Sequence, residues 1–225
     1  MGAGKPKDSV FNEPHLRSGT VVSHPENSVY NEVSHTGGAT PYKDWLIAQR
    51  EKTGVFYSWV VILACALVAG PFAVVGTFWG MGGSISSILA LVVIGPTTEE
   101  IAKVMAILML VERASYFVRS GGQILFCAMA SGLVFSIIEN FLYLYVYIPE
   151  PSPELVAWRW TVCVALHVGC SLVAGMGVVR IWGESVRKGR PPRLEKGIPF
   201  FVLAIVLHGG YNAFAIAYEG LLSPF

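Results

Sequence analysis

Five long apolar runs dominate the chain, at about 55–79, 84–111, 124–148, 157–181 and 198–218. Each is near the ~20 residues that a helix rising ~1.5 Å per residue needs to cross ~30 Å of hydrocarbon. The pattern predicts an all-α fold, a polytopic transmembrane helix bundle of about five spans. The second run contains Gly95-Pro96, which is expected to kink it or to split it into a short approach segment and a helix starting near Thr97. Residues 1–44 are rich in Gly, Ser, Asn, His and Pro without sustained periodicity, and are expected to form a mobile polar tail. Residues 45–54 open on Trp45, Leu46 and Ile47 and close on charged side chains, the composition of an interfacial lead-in. Residues 55–218 then form the transmembrane domain and 219–225 a short C-terminal tail. No cleavable signal peptide is visible, so the first span is expected to direct insertion. No internal repeat is evident.

Composition agrees with the pattern. Of 225 residues, 53% are hydrophobic and 14% charged, outside the ordinary soluble range. The net charge of +1 gives no reason to expect nucleic acid as a partner; the expected surroundings are the lipid bilayer. Cys65, Cys127, Cys163 and Cys170 all lie inside apolar stretches, so they do not read as an extracellular disulfide framework. Lys43, Arg50 and Lys52 precede the first span, Arg113 and Arg119 follow the second, and Arg187, Lys188, Arg190, Arg193 and Lys196 follow the fourth. Those sides are expected to be cytoplasmic. The other connections, 80–83 and 149–156, carry no Lys or Arg. The chain is thus expected to be an integral, multi-pass protein of the cell membrane with its N-terminus in the cytoplasm.

Six ionisable residues stand where lipid would penalise them: Glu99, Glu100, Lys103, Glu139, His167 and His208. A charge at a helix centre costs at least ~2.5–3.5 kcal/mol on insertion scales, so these residues are expected to face the bundle interior and mark a site. A buried ion-pair network that only fixes packing is the plainer alternative. Measured from the outer end of each span, Glu139, His167 and His208 fall at about 14–15 Å depth. Glu99 and Glu100 reach that level only if the second helix bends. Glu99 and Glu100 share a face with Lys103, which makes them a candidate acid/base pair, and His208 shares a face with Asn212.

Two imidazoles and a carboxylate on three helices are the ligand types that catalytic zinc sites use, with a position left for water. No local motif such as H-E-x-x-H is present, so spacing gives ligand types without proximity. Cys163, His167 and Cys170 share a helix face, but small thiols are ordinary packing residues. Serine chemistry has no legible base and carboxylate. A pair of intramembrane aspartates is excluded, because Asp8 and Asp44 are the chain's aspartates and both lie outside the spans.

Over about 89–217 the chain resembles the PrsW-type intramembrane proteases, more distant relatives of the CAAX prenyl endopeptidases. The resemblance rests on Glu99-Glu100-Ile101-Ala102-Lys103 as E-E-x-x-K and on the run from Gly132 through Phe135 to Glu139-Asn140 as G-x-x-F-x-x-x-E-N. It rests also on His167 and on His208 with Asn212. Arg159 resembles an arginine the family often places there; Gly121-Gly122-Gln123 departs from relatives that have an acidic residue before the glycine. The resemblance implies an endopeptidase cutting membrane-anchored proteins, in the best-known relatives an anti-sigma factor, as the first step of regulated proteolysis.

The mechanism expected on these grounds has Glu139, His167 and His208 holding a zinc ion and Glu100 acting as general base. Asn140 or Asn212 donates to the oxyanion, and Glu99 completes the metal shell or pairs with Lys103. A metal-free glutamic mechanism uses Glu100 on water with His208 and Asn212 at the oxyanion. The rival from another class is a proton-coupled transporter, which needs a polar track through both leaflets; a scaffold without activity would use the same polar edges for packing.

Overall fold

The computed structural model describes residues 41–80 and 88–222. Among these, all regular structure is helical. The α-helices are α1 (Pro41–Lys52), α2 (Val55–Gly80), α3 (Gly95–Ala114), α4 (Gly121–Leu142), α5 (Pro153–Trp158), α6 (Val164–Lys188) and α7 (Ile198–Leu222). The polar tail lies outside the described residues up to position 40, as do residues 81–87, which include most of the expected 80–83 connection and the start of the second run, and the last three residues. The lead-in is helical and begins at Pro41.

Four helical stretches are long and apolar enough to cross a membrane: Val55–Val75, Gly121–Tyr147, Pro153–Lys188 and Ile198–Tyr218. The remaining helix, α3, carries Glu99, Glu100 and Lys103, and packs against α2, α4, α6 and α7. It is the centre of the bundle. Its charges are covered by protein, while α2 turns Phe56, Leu63, Leu67 and Phe72 outward. The expectation of about five spans is met in this form.

The chain is not split at Gly95-Pro96. A π-helical turn, Ala90–Ile94, runs directly into α3 and absorbs the proline. Gly95 donates its N–H to the Ala90 carbonyl, and Pro96 has no N–H to give the next one. The freed Leu91 carbonyl instead accepts from Asn212 Nδ2 of α7 at 2.9 Å. α7 can come this close because it has glycine at 209, where a Cβ would sit 2.2 Å from the Val92 carbonyl oxygen. Pro96 and Gly209-x-x-Asn212 together dock α7 on the π-turn.

A second close approach joins α4 to α6. A Cβ on Gly132 would meet Ser171 Oγ at 2.5 Å and the His167 carbonyl at 3.0 Å. Small residues allow such contact where lipid gives helices no hydrophobic drive to associate. Glu139 lies two turns along α4 from Gly132, so this contact sets its level against His167.

The Lys- and Arg-rich sides lie together at one end. Tyr42 of α1 hydrogen-bonds Ser115 Oγ at 2.7 Å, and Ser185 near the end of α6 donates to the Tyr42 hydroxyl at 3.4 Å. Between that end and the intramembrane charges lies an apolar core including Ile62, Val104, Ile107, Ile124, Cys127, Ala174 and Val178.

Candidate active site

Glu99, Glu100, His167 and His208 converge from α3, α6 and α7. One possible ligand atom from each lies within 4.8 Å of the others, and all four residues are buried. Lys103 sits among them, 0% exposed. Its Nζ donates to Glu100 Oε1 at 2.7 Å, stands 3.0 Å from His167 Nδ1, and lies 3.6 Å from Glu99 Oε2. The Phe135 ring covers the ammonium at 4.1 Å and meets the His167 ring edge-on at 5.0 Å, a favourable cation–π contact in a site without bulk water.

The lysine fixes how the histidines are used. An ammonium has three hydrogens and no lone pair, so His167 accepts from it at Nδ1 and carries its proton at Nε2. That Nε2 is 2.9 Å from Glu139 Oε2. His208 Nδ1 is 2.7 Å from Glu100 Oε1 and 3.7 Å from Glu99 Oε2, and its ring stands edge-on to His167 at 4.9 Å.

Glu139 therefore reaches one face of His167 and stands outside the four-residue group. Its Oε2 also accepts from Arg159 Nη2 at 2.9 Å. Arg159 in turn donates from Nε to Asn140 Oδ1 at 3.1 Å, and its guanidinium lies 3.8 Å from the Tyr143 ring centroid. Asn140 Nδ2 returns a bond to the Arg159 carbonyl at 2.9 Å. Arg159 was not among the site residues read from the chain, although an arginine just inside an apolar run is itself the signal. Phe135 stands in the G-x-x-F-x-x-x-E-N run at i,i+4 from Glu139, and its contact with the Lys103 ammonium gives it a place in the site.

A cavity of about 850 Å³ ends on this cluster. Glu99, Glu139, His167, His208 and Asn212 border it, and it extends to Ile148, Ser152 and Glu154 in the connection after α4. Glu100 lies behind, 1% exposed. The two neighbouring glutamates thus differ: one borders the cavity, the other is enclosed by Lys103 and His208. Tyr211 spans the cavity wall, its hydroxyl accepting from Trp158 Nε1 at 2.7 Å.

The donor set suits a divalent metal. Two imidazoles and two carboxylates are borderline and hard ligands of the kind zinc accepts. Glu99 Oε2 and Glu100 Oε2 are buried without a hydrogen-bond partner, so lone pairs are left over at the cluster. No thiol joins the group: Cys170 packs in the apolar core, and Cys163 Sγ lies 3.5 Å from the Tyr211 hydroxyl. Towards the basic end, the described residues beyond the cluster are mainly those of the apolar core.

Comparison with curated proteins and with solved structures finds no match. A family model described as PrsW family intramembrane metalloprotease matches residues 54–224. The match spans most of the chain, and the chain belongs to that family of membrane-integral proteases.

Proposed function

We propose that this PrsW-family intramembrane protease hydrolyses peptide bonds of membrane-anchored proteins with Glu99 as the general base. The observation carrying this assignment is that Glu99 borders the cavity and Glu100 does not. Glu100, the base expected from the sequence, has Oε1 taken by Lys103 and His208. A base must reach the proton that it removes, and a water in the cavity meets Glu99 first. Glu99 takes that proton as the water attacks the scissile carbonyl and returns it to the leaving amine. Asn212 keeps one amide hydrogen on Leu91 and offers the other to the developing oxyanion. Asn140, locked to Arg159, holds the Arg159–Glu139 pair that orients His167.

In the metal-dependent version, His167, His208 and Glu100 would hold a zinc ion, whose contribution when bound is Lewis-acid polarisation of the substrate carbonyl and of water. Glu139, the ligand expected from the sequence, would act instead on the far nitrogen of His167, the arrangement that fixes ring orientation in many metal sites. A second reading is favoured by Lys103: its ammonium already supplies positive charge at the cluster centre, as a metal-free glutamic mechanism requires. In both versions the substrate is of the anti-sigma-factor-like kind that the family resemblance implies. The cut is the first step of regulated proteolysis, with the basic end and the N-terminus in the cytoplasm.

The test is cleavage of a single-span fluorescent reporter co-reconstituted with the protein. Glu99→Gln is expected to lower cleavage by about 10²–10⁴-fold while the protein stays folded; retained cleavage in a folded Glu99→Gln variant removes Glu99 from the mechanism. Elemental mass spectrometry on the same preparations separates the two versions. Near-stoichiometric zinc that His208→Ala loses supports the metal, and active metal-free protein supports the glutamic mechanism.

A further inference from the structure

At the opposite end of the bundle Arg50 and Arg119 each reach across to the other's stretch of backbone. Arg50 Nη2 of α1 donates to the Val118 carbonyl at 2.8 Å. Arg119 Nη2 reaches back to the carbonyls of Arg50, at 3.2 Å, and Thr53. Among the described residues, neither has a carboxylate within ion-pair distance. The Arg50 guanidinium also lies 5.8 Å from the Trp182 ring centroid of α6.

These contacts leave a consistent remainder. Arg50 Nε, Arg119 Nε and Trp182 Nε1 are all buried without a hydrogen-bond partner. All are donors that cannot accept. Burial, followed by the neighbouring Arg119 charge, lowers the Arg50 guanidinium below its ordinary value. The missing partner is an acceptor with negative charge and more than one oxygen, since guanidiniums engage such groups through several N–H bonds at once.

The position narrows its chemistry. The pair sits at the end of the spans that carries Lys43, Lys52, Arg113, Arg187, Lys188, Arg190, Arg193 and Lys196, whereas the connection after α4 carries Glu150 and Glu154. Basic residues flanking spans attract the anionic phosphates of the membrane surface. We propose that Arg50, Arg119 and Trp182 form a binding site for the phosphate of an anionic phospholipid, tying α1 and the α3–α4 connection to α6. The site is separated from the protease centre by the apolar core and does not depend on how that centre works.

The experiment is native mass spectrometry of the full-length protein, delipidated in detergent and titrated with phosphatidylglycerol or phosphatidylcholine. Phosphatidylglycerol is expected to be retained at least about fivefold better. Arg119→Gln should abolish that preference, and Trp182→Phe, which keeps the ring and removes one donor, should reduce it about two- to threefold. A melting-temperature rise with phosphatidylglycerol, lost in Arg119→Gln and reduced in Trp182→Phe, checks the same site without relying on retention. Equal retention of the two lipids by the unaltered protein, or a preference unchanged in both variants, overturns the proposal. Inorganic phosphate is the control for source: stabilisation by phosphate equal to that by the lipid overturns the lipid assignment.

Discussion

Buried atoms left without a hydrogen-bond partner differ in kind between the two ends of this bundle. At the cavity end they are acceptors, Glu99 Oε2 and Glu100 Oε2; at the basic end they are donors, on Trp45, Arg50, Arg119 and Trp182; between them lie the Ser131 and Ser171 hydroxyls, which can do either. Each remainder names what the region can still take up: a proton or a cation at one end, an anion at the other. Their surroundings differ as well. At the basic end the Nη2 atoms of Arg50 and Arg119 donate to backbone carbonyls of connections and helix ends, contacts that fasten the chain. The acceptors at the cavity end belong to a chain of charged side chains that touch one another across three helices. An apolar core lies between the two, so the same helices carry a reactive end and a fastened end.

The largest break in this comparison is Lys103→Met. Removing the ammonium leaves two buried carboxylates facing each other, and breaking such an arrangement costs about 3–5 kcal/mol. Arg119→Gln at the other end is expected to cost only about 1–2 kcal/mol, because it loses hydrogen bonds to carbonyls without stranding an anion. Unfolding both variants by denaturant titration in mixed micelles gives the ranking. If Lys103→Met proves no costlier than Arg119→Gln, the cavity-end charges are not mutually dependent as described.

A smaller effect is expected from Gly209→Ala. Its new methyl would lie 2.2 Å from the Val92 carbonyl oxygen, so α7 must move off the π-turn, carrying His208 with it. Overpacking of this kind costs about 1–3 kcal/mol, and cleavage should fall by at least about tenfold because His208 sits at the moved position. Gly210, where a Cβ meets nothing within 4 Å, is the control: Gly210→Ala should leave cleavage unchanged and raise helix stability by up to about 1 kcal/mol. Equal cleavage by the two variants would mean that the α7 docking does not position the site.

How much of this was legible in the chain follows from what each inference needs. Apolar run lengths sufficed for the helices; the last candidate span, Ile198–Tyr218, coincides with its run. The effect of Pro96 was not legible, because a proline can be met by a break, a kink or a π-turn, and the choice here depends on Asn212, 116 residues away from it in sequence. Glu99, Glu100, Lys103, Glu139, His167 and His208 stood out as charges or imidazoles within lipid-length runs, and they do gather. Which carboxylate meets which histidine was beyond reach. Adjacent residues on a helix point ~100° apart, so only the rotation of α3 against its four neighbours makes Glu99 face the cavity and Glu100 meet His208. Glu139 shares a depth with His167 but meets it from the far side, which helical rise alone does not distinguish.

The smallest expected effect lies on the cavity wall. Trp158→Phe keeps the aromatic ring, 44% exposed, and deletes the N–H that donates to the Tyr211 hydroxyl. That bond joins α5 to α7 beside the cavity and touches none of the clustered carboxylates or imidazoles. Its loss should therefore cost under about 1 kcal/mol of stability and raise KM about two- to fivefold, while kcat stays within twofold because no group acting on the bond being cut has moved. Michaelis kinetics on a detergent-solubilised reporter separate the two parameters. A kcat drop of tenfold or more with unchanged KM would place the Trp158–Tyr211 pair in the reacting geometry, and the reactive end would then extend up the cavity wall to the connection after α4.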